Sequence, residues 1–563
     1  MTSSTSLLVL LLHLSLLTTI LDAKRAPGDK RPNIILFFPD TLRAESHGAF
    51  YGNTIPNLTP NFDKFASTGT LFKQAHVAHT QCSPSRATMM TGRYMHVLGH
   101  RTQIHLLRAY EENYFRLLKE SGYHVKWLGK NDALSKAAFN MSVSSWENDI
   151  GYDSGHNMFK FGEAGYWSML STGGQKHAND TSQGDLKAIT HAVEFMNNDP
   201  PEPFVIFLPT RGAHPPYGSP PEYQHKWTLE EVKAHVTLRP PNNPKKPKYH
   251  QPDVGIQHYR NLTSFTTTSN DDIFWKIRQS YLEMISFTDW TFGELLKGLK
   301  KSGLESTTAV FHSSDHGDFA GDYHLVEKWP GGADDVLTHV PMAIRIPSGV
   351  AGGIVHGPVQ SMDMMETMLD LAGIDTEWVR FGVSLRNVLF DSTKDDLKRY
   401  VYSEGGFYYH SELFPGGSDH VPNNPKGMYW PRAQEEMSDN GTGSPKWVMV
   451  RNGTHKLVYR PAGVCELYDL VLDEHELNNV YDDSKYLHYR IELEKHMMEW
   501  LIRTGDVPPL RNDPRKSPKN PNPINQETCE TLLQPDPSKD PEELFDVEPN
   551  DLMGINGVPY FST

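Results

Sequence analysis

Four polar clusters stand at one kind of place in this chain, each directly behind a short apolar run. Asp40 follows NIILFF, Lys130 follows the run His124–Leu128, His214 follows Phe204–Leu208, and Asp315 follows Thr307–Phe311. The last cluster, SSDHGDFAGDYHLVEK from Ser313 to Lys328, is too rich in His, Asp and Gly to be explained as packing. Its Asp315 and His316 set a carboxylate beside an imidazole, donors that a divalent ion accepts. His214, in PTRGAHPPYGSP, can move a proton near neutral pH; among 27 histidines, its place behind a strand is what singles it out. Only three cysteines occur, Cys82, Cys465 and Cys529, and Cys82, in QCSPSRATMMTGRY, is the odd one by context. If Cys82 is chemically consumed, Cys465 and Cys529 are expected to pair and tie the tail back to its domain.

The apolar runs, with a further one at Met342–Ile346, alternate with amphipathic patterns at Asn61–Ser67, Glu111–Ser121, Gly184–Met196 and Ile273–Leu299. That alternation predicts an α/β fold with a mostly parallel central sheet flanked by helices on both faces. In such sheets ligands collect at the C-terminal strand ends, where all four clusters fall. A catalytic domain is expected over 32–395 and a smaller C-terminal α+β domain over 396–510. The latter holds strand-like YVYS, VMVRNG and HKLVYRP, a turn ELYDLVLDEHELNN, and a helix from Lys485 to Arg503. Residues 511–563, rich in Pro, Asn and Asp, read as an extended tail.

Composition excludes some partners. Acidic residues outnumber basic ones 69 to 54, for a formal charge of -15, which speaks against nucleic acid. The densest basic stretch, Lys245, Lys246 and Lys248, lies among prolines and reads as a solvated loop. Residues 1–23 read as a signal peptide, and no later stretch is long and apolar enough to span a bilayer, so no membrane association is expected after cleavage. Sequons at Asn57, Asn140, Asn179, Asn261, Asn440 and Asn452 agree with that leader, and a secreted, lysosomal or ER-lumenal protein is expected.

The segment Cys82-Ser83-Pro84-Ser85-Arg86, followed by Thr91-Gly92, resembles the signature of the sulfatase family, the formylglycine-dependent branch of the alkaline-phosphatase-like superfamily. The resemblance extends in order through RPNIILFFPDTLR, WLGKND, PTRGAHPPYGSP, SSDHGDFAGDYHLVEK and Glu466-Leu467-Tyr468-Asp469-Leu470, covering roughly 32–505. It implies that Cys82 is oxidised to an aldehyde by a formylglycine-generating enzyme. It also implies that one divalent metal, calcium in the family, is held by Asp40, Cys82, Asp315 and His316; the imidazole admits manganese as well. Catalytic roles are implied for Cys82 as nucleophile, Arg86 as its support, Lys130 and Lys328 as contacts to the transferred group, and His214 as acid. The hydrated aldehyde would attack a sulfate ester with one hydroxyl and expel sulfate with the other. A sulfated small molecule or glycan is the implied substrate.

Two positions depart from the family pattern. Thr41 stands where many members carry a second Asp, and Asp132 where histidine is common. They keep two alternatives open: a phosphoester or phosphonate hydrolase of the same superfamily, and a non-catalytic secreted glycoprotein retaining the fold. His100, Arg101 and His105, in HVLGHRTQIHLL, read either as the lining of an anionic pocket or as a polar loop.

Overall fold

The computed structural model describes residues 31–505 and 507, apart from 51, 104, 152–154, 164, 174–176, 178, 181–183, 242, 244–270, 330–331, 407–425, 428 and 432–445. Its main sheet has eight strands: β1 (Asn33–Phe37), β2 (Thr70–His76), β3 (His124–Trp127), β4 (Ser145–Trp146), β5 (Phe204–Leu208), β6 (Thr308–His312), β7 (Ala343–Arg345) and β8 (Gly353–Gln360). They lie in the order β4-β3-β5-β1-β6-β7-β2-β8. Only β7 runs antiparallel to its neighbours, β6 and β2. Central β1 pairs in parallel with β5 through Ile34 and Val205, and with β6 through Ile34 and Ala309.

A strand covered on both faces needs no polar alternation, which is why NIILFF is apolar throughout. Ile34, Leu36 and Phe38 enter one core with Phe207 and Phe311; Ile35 and Phe37 enter another with Ile206 and Val310. The helices concerned are α1 (Pro60–Thr68), α2 (Cys82–Thr91), α3 (Tyr114–Glu120), α4 (Gly184–Asn197), α5 (Asp271–Lys301), α6 (Ser361–Ala372) and α7 (Leu487–Gly505). Helices α2, α3 and α6 cover the first face through Met90, Phe115 and Met365, and α1, α4 and α5 the second through Phe62, Ile189 and Phe292.

A second sheet, β9 (Val401–Gly405), β10 (Trp447–Arg451), β11 (His455–Tyr459) and β12 (Glu466–Asp469), is antiparallel in the order β12-β11-β10-β9. Leu493, Met497 and Trp500 of α7 pack on its Tyr402, Val450, Leu457 and Leu467. The Glu404 N–H donates to Ala78 O at 3.0 Å, joining this sheet to the segment that leads into α2.

The expected elements appear, with several differences, among them the two-residue β4 and the edge strand β8, which no expected run covers. Glu466–Asp469, read as part of a turn, is strand β12, because Leu467 supplies an inward apolar contact. Helix α3 begins at Tyr114 rather than Glu111, since the Asn113 side chain caps it by accepting from the Arg116 N–H. The run at Met342–Ile346 is a short antiparallel strand. Strand β2 escaped notice because Lys73 and Gln74 interrupt its apolar run.

The leader, the tail, Cys529, Asn261, Asn440 and the Lys245–Lys248 stretch lie outside the described residues, and so does the expected Cys465–Cys529 pairing. Asn57, Asn140 and Asn179 are exposed, whereas Asn452 is half-buried. Among the described residues no helix is long and apolar enough to cross a membrane.

Candidate active site

Parallel strands end on one edge of a sheet, so residues distant in sequence meet there. Strand β1 delivers Asp40, β3 Lys130, β5 His214, and β6 both Asp315 and His316. The segment after β2 turns into α2, whose first residue is Cys82. A ten-residue helix presents its partial positive charge at that end, which favours an anion.

The four residues expected to hold a metal come together. One ligand atom from each of Asp40, Cys82, Asp315 and His316 lies within 4.8 Å of the others, and all four residues are buried. Cys82 Sγ is 3.2 Å from His316 Nε2 and 3.9 Å from Asp40 Oδ1. His316 Nε2 stands 3.5 Å from Asp40 Oδ1 and 3.8 Å from Asp315 Oδ2. Its Nδ1 is 2.8 Å from Gly317 O, an acceptor only, so Nδ1 carries the proton and Nε2 turns a lone pair toward the two carboxylates. Burial lowers the His316 pKa despite Asp315 and Asp40, so Nε2 stays unprotonated, able to accept from the Cys82 thiol or to bind an ion. Acceptors facing acceptors in a buried space repel one another unless a cation lies among them, so these residues fit a divalent ion.

Cationic side chains surround this group. Arg86 bridges the two acids, with Nε 2.9 Å from Asp315 Oδ2 and Nη2 3.1 Å from Asp40 Oδ2. Its Nη1 is buried and without a hydrogen-bond partner among the described residues. Lys130 pairs with Asp40 Oδ2 and lies 2.6 Å from Asp132 Oδ2. Lys328 Nζ lies 2.8 Å from His214 Nε2 and 2.8 Å from Glu327 Oε1.

Burial pushes Asp40 up, but Lys130, His214, Arg86 and His316 together hold its carboxyl well below the usual range. Burial, reinforced by Asp40, pushes the Cys82 thiol up to about 12. A nucleophilic cysteine works as the thiolate, so this setting suits an unmodified thiol poorly as the attacking group. Burial would lower Lys328; the acidic groups near it, Glu327 at 2.8 Å among them, outweigh burial and keep the ammonium charged. Burial and Lys328 hold His214 well below its ordinary value. Its Nδ1 is 2.6 Å from Pro215 O, so Nδ1 donates there and Nε2 accepts from Lys328.

All eight residues named from the sequence, Asp40, Cys82, Arg86, Lys130, His214, Asp315, His316 and Lys328, thus share one buried region. The two departures acquire structural roles. Thr41, at φ +66°, donates its hydroxyl to Asp40 Oδ1 and its N–H to Asp315 Oδ1 at 3.1 Å, so it orients the acids. Asp132 orients Lys130. His100 is used within its own loop, with Nδ1 2.8 Å from His105 O and Nε2 2.8 Å from Glu111, and His105 Nδ1 lies 2.9 Å from Thr102. Both imidazoles therefore follow the polar-loop reading. Glu327 and Tyr217 were missed; both stand inside quoted motifs, LVEK and HPPY, but carried no chemical signal of their own.

A family model described as Sulfatase matches residues 32–374. N-acetylglucosamine-6-O-sulfatase of Bacteroides thetaiotaomicron is 22% identical over 530 residues, covering 84% of this chain and 86% of that protein. Arylsulfatase K of Homo sapiens is 25% identical over 410 residues, 69% of this chain and 74% of its own length. Among solved structures, the phosphonate monoester hydrolase of Agrobacterium radiobacter superposes with a TM-score of 0.63 at 19% identity, covering 84% of this chain and 96% of that one. At that identity the likeness concerns the fold alone.

Proposed function

The chain belongs to the sulfatase family and is a sulfuric ester hydrolase, and from that premise we propose that it removes sulfate from a carbohydrate by means of a formylglycine made from Cys82 beside a divalent ion. The observation that carries this reading is the buried convergence of Asp40, Cys82, Asp315 and His316. The carbohydrate is suggested by the N-acetylglucosamine-6-O-sulfatase among its relatives.

Formal charge supports a sulfate monoester. Asp40, Asp315, Asp132 and Glu327 stand against Arg86, Lys130 and Lys328, leaving one negative charge. A divalent ion, most readily calcium given the two carboxylates, turns that into one positive charge, the complement of a sulfate monoester's single negative charge. Held by Asp40, Asp315, His316 and residue 82, the ion would withdraw charge from the sulfate oxygens. The formylglycine would supply a hydrated aldehyde, one hydroxyl to attack sulfur and a second to release sulfate.

The remaining work falls to side chains already in place. Arg86 bridges Asp40 and Asp315 and offsets the repulsion between their charges. Lys130, steadied by Asp132, is positioned to bind a transferred oxygen. The proton for the departing alkoxide rests on the Lys328–His214 pair: Nε2 of His214 is bare and accepts from Lys328, so the pair's transferable proton sits on the Lys328 ammonium, which His214 orients. We further propose that the chain enters the secretory lumen through residues 1–23, where a formylglycine-generating enzyme meets Cys82, and that the exposed Asn57, Asn140 and Asn179 are glycosylated there.

Turnover of an aryl sulfate and an aryl phosphate by protein from its native source, with peptide mass spectrometry across residues 82–86, tests the proposal. Preference for sulfate together with an aldehyde at residue 82 is expected. Preference for phosphate would overturn the sulfate assignment, and an intact thiol in active protein would overturn the formylglycine.

A further inference from the structure

Lys328 is carried by a backbone in a costly conformation. Glu327, the residue before it, is buried and sits at φ +66°, a region that non-glycine residues avoid. Two hydrogen bonds fix it there. The Glu327 N–H donates to the Tyr217 hydroxyl at 2.8 Å, and the Glu327 carbonyl accepts from the Phe319 N–H at 3.1 Å. The Tyr217 hydroxyl, fully buried, in turn donates to Asp318 Oδ1 at 2.8 Å, so its one proton is committed as well. The backbone of Tyr217 is itself pinned: its N–H donates to Met169 O at 2.6 Å, and its carbonyl accepts from the Ser171 N–H at 2.9 Å.

Held in this way, Glu327 places Oε1 2.8 Å from Lys328 Nζ, which also lies 2.8 Å from His214 Nε2. His214 and Tyr217 belong to the same short segment, HPPY. One of its residues touches the ammonium, and the other grips the backbone from which that ammonium extends. A flexible lysine stem would otherwise spread Nζ over many rotamers.

We propose that Tyr217 and Glu327 are positioning residues for proton delivery, fixing Lys328 Nζ against His214; this rests on the reading of the Lys328–His214 pair as the proton source for the leaving alkoxide. Tyr217 acts on the main chain and Glu327 on the ammonium, and neither needs to touch substrate.

A double-mutant cycle on the full-length enzyme tests this, with Tyr217→Phe, Lys328→Ala and the combination assayed on aryl sulfates of graded leaving-group acidity. Tyr217→Phe is expected to lower kcat about tenfold for the poorest leaving group, with KM nearly unchanged and little loss for the best one, since only an alkoxide that needs a proton feels a misplaced donor. Added to Lys328→Ala, it should cost nothing more. A Tyr217→Phe loss that is equal across leaving groups, or that reappears in full in the Lys328→Ala background, overturns the proposal. Glu327→Gln, run through the same cycle, covers the case in which Tyr217→Phe does not fold, and additivity with Lys328→Ala refutes it there too. If Lys328→Ala alone leaves the poorest leaving group unaffected, the role of Lys328 is wrong and the proposal falls with it, an outcome the single variant reveals by itself.

Discussion

His47 makes the fold sensitive to mild acid. Its ring is 2% exposed, lies edge-on to Phe62 at 5.0 Å, and has Nδ1 3.1 Å from Arg43 O. Burial pulls its pKa from 6.5 down to about 4, with the bond to Arg43 offsetting a little of the shift. The folded value lies below the unfolded one, so the unfolded chain binds the proton first. The neutral ring contributes its full stability above pH 6.5, and that contribution is lost as pH falls through the folded value of about 4. Taking about 1.36 kcal/mol per pKa unit, the whole effect is about 3 kcal/mol, of which about 2.5 kcal/mol is gone by pH 4.5. His47→Phe fills similar space without a titrating group. Its loss of the Arg43 bond lowers stability equally at every pH, so only the change with pH is informative. Urea unfolding of both proteins from pH 7.5 to pH 4.5, followed by circular dichroism and fluorescence together, should show the variant's deficit shrinking by about 2.5 kcal/mol. Parallel pH profiles would refute the reasoning, because they would mean that the His47 ring reaches water in the folded state.

Cys82→Ala should abolish turnover while moving the unfolding midpoint little, because the contacts of Sγ with His316 and Asp40 serve the site; a large loss of stability by calorimetry would assign the thiol to packing. Chelation should lower the unfolding midpoint of the purified protein and calcium should restore it, since binding to the folded state alone adds about 2.7 kcal/mol at a hundredfold excess over Kd; a midpoint indifferent to chelator would speak against an ion among Asp40, Asp315 and His316. Thr41→Ala should weaken calcium binding in a calorimetric titration, because Asp40 Oδ1 loses its hydroxyl donor, whereas unchanged affinity would make Thr41 a spacer.

Part of the site was legible because four of its members closely follow parallel strands, whereas Cys82, Arg86 and Lys328 were found through the motifs around them. Asp40, Lys130, His214 and Asp315 needed no knowledge of strand order, since every parallel strand ends on the same edge. What stayed hidden depends on contacts between segments far apart in sequence. Thr41 looked like a lost ligand, and only the approach of Asp315, 274 residues away, reveals its N–H as a donor. The grip of Tyr217 on Glu327 spans 110 residues and turns on a positive φ that a glutamate does not advertise. His100 stayed open between a pocket lining and a polar loop because sequence cannot say that Glu111 and the His105 carbonyl already occupy both ring nitrogens. The direction of β7 was hidden for the same reason: an apolar run reports burial and carries no sense of direction.

Every residue from Cys82 to Thr91 is buried in the finished fold. A macromolecular catalyst has no access to that side chain once the sheet and its helices have closed over it. Any protein that remodels this thiol has to act before the chain has closed over it, in competition with collapse. Two populations with the same sequence and the same shape could then coexist, one competent and one inert, told apart only by which event came first.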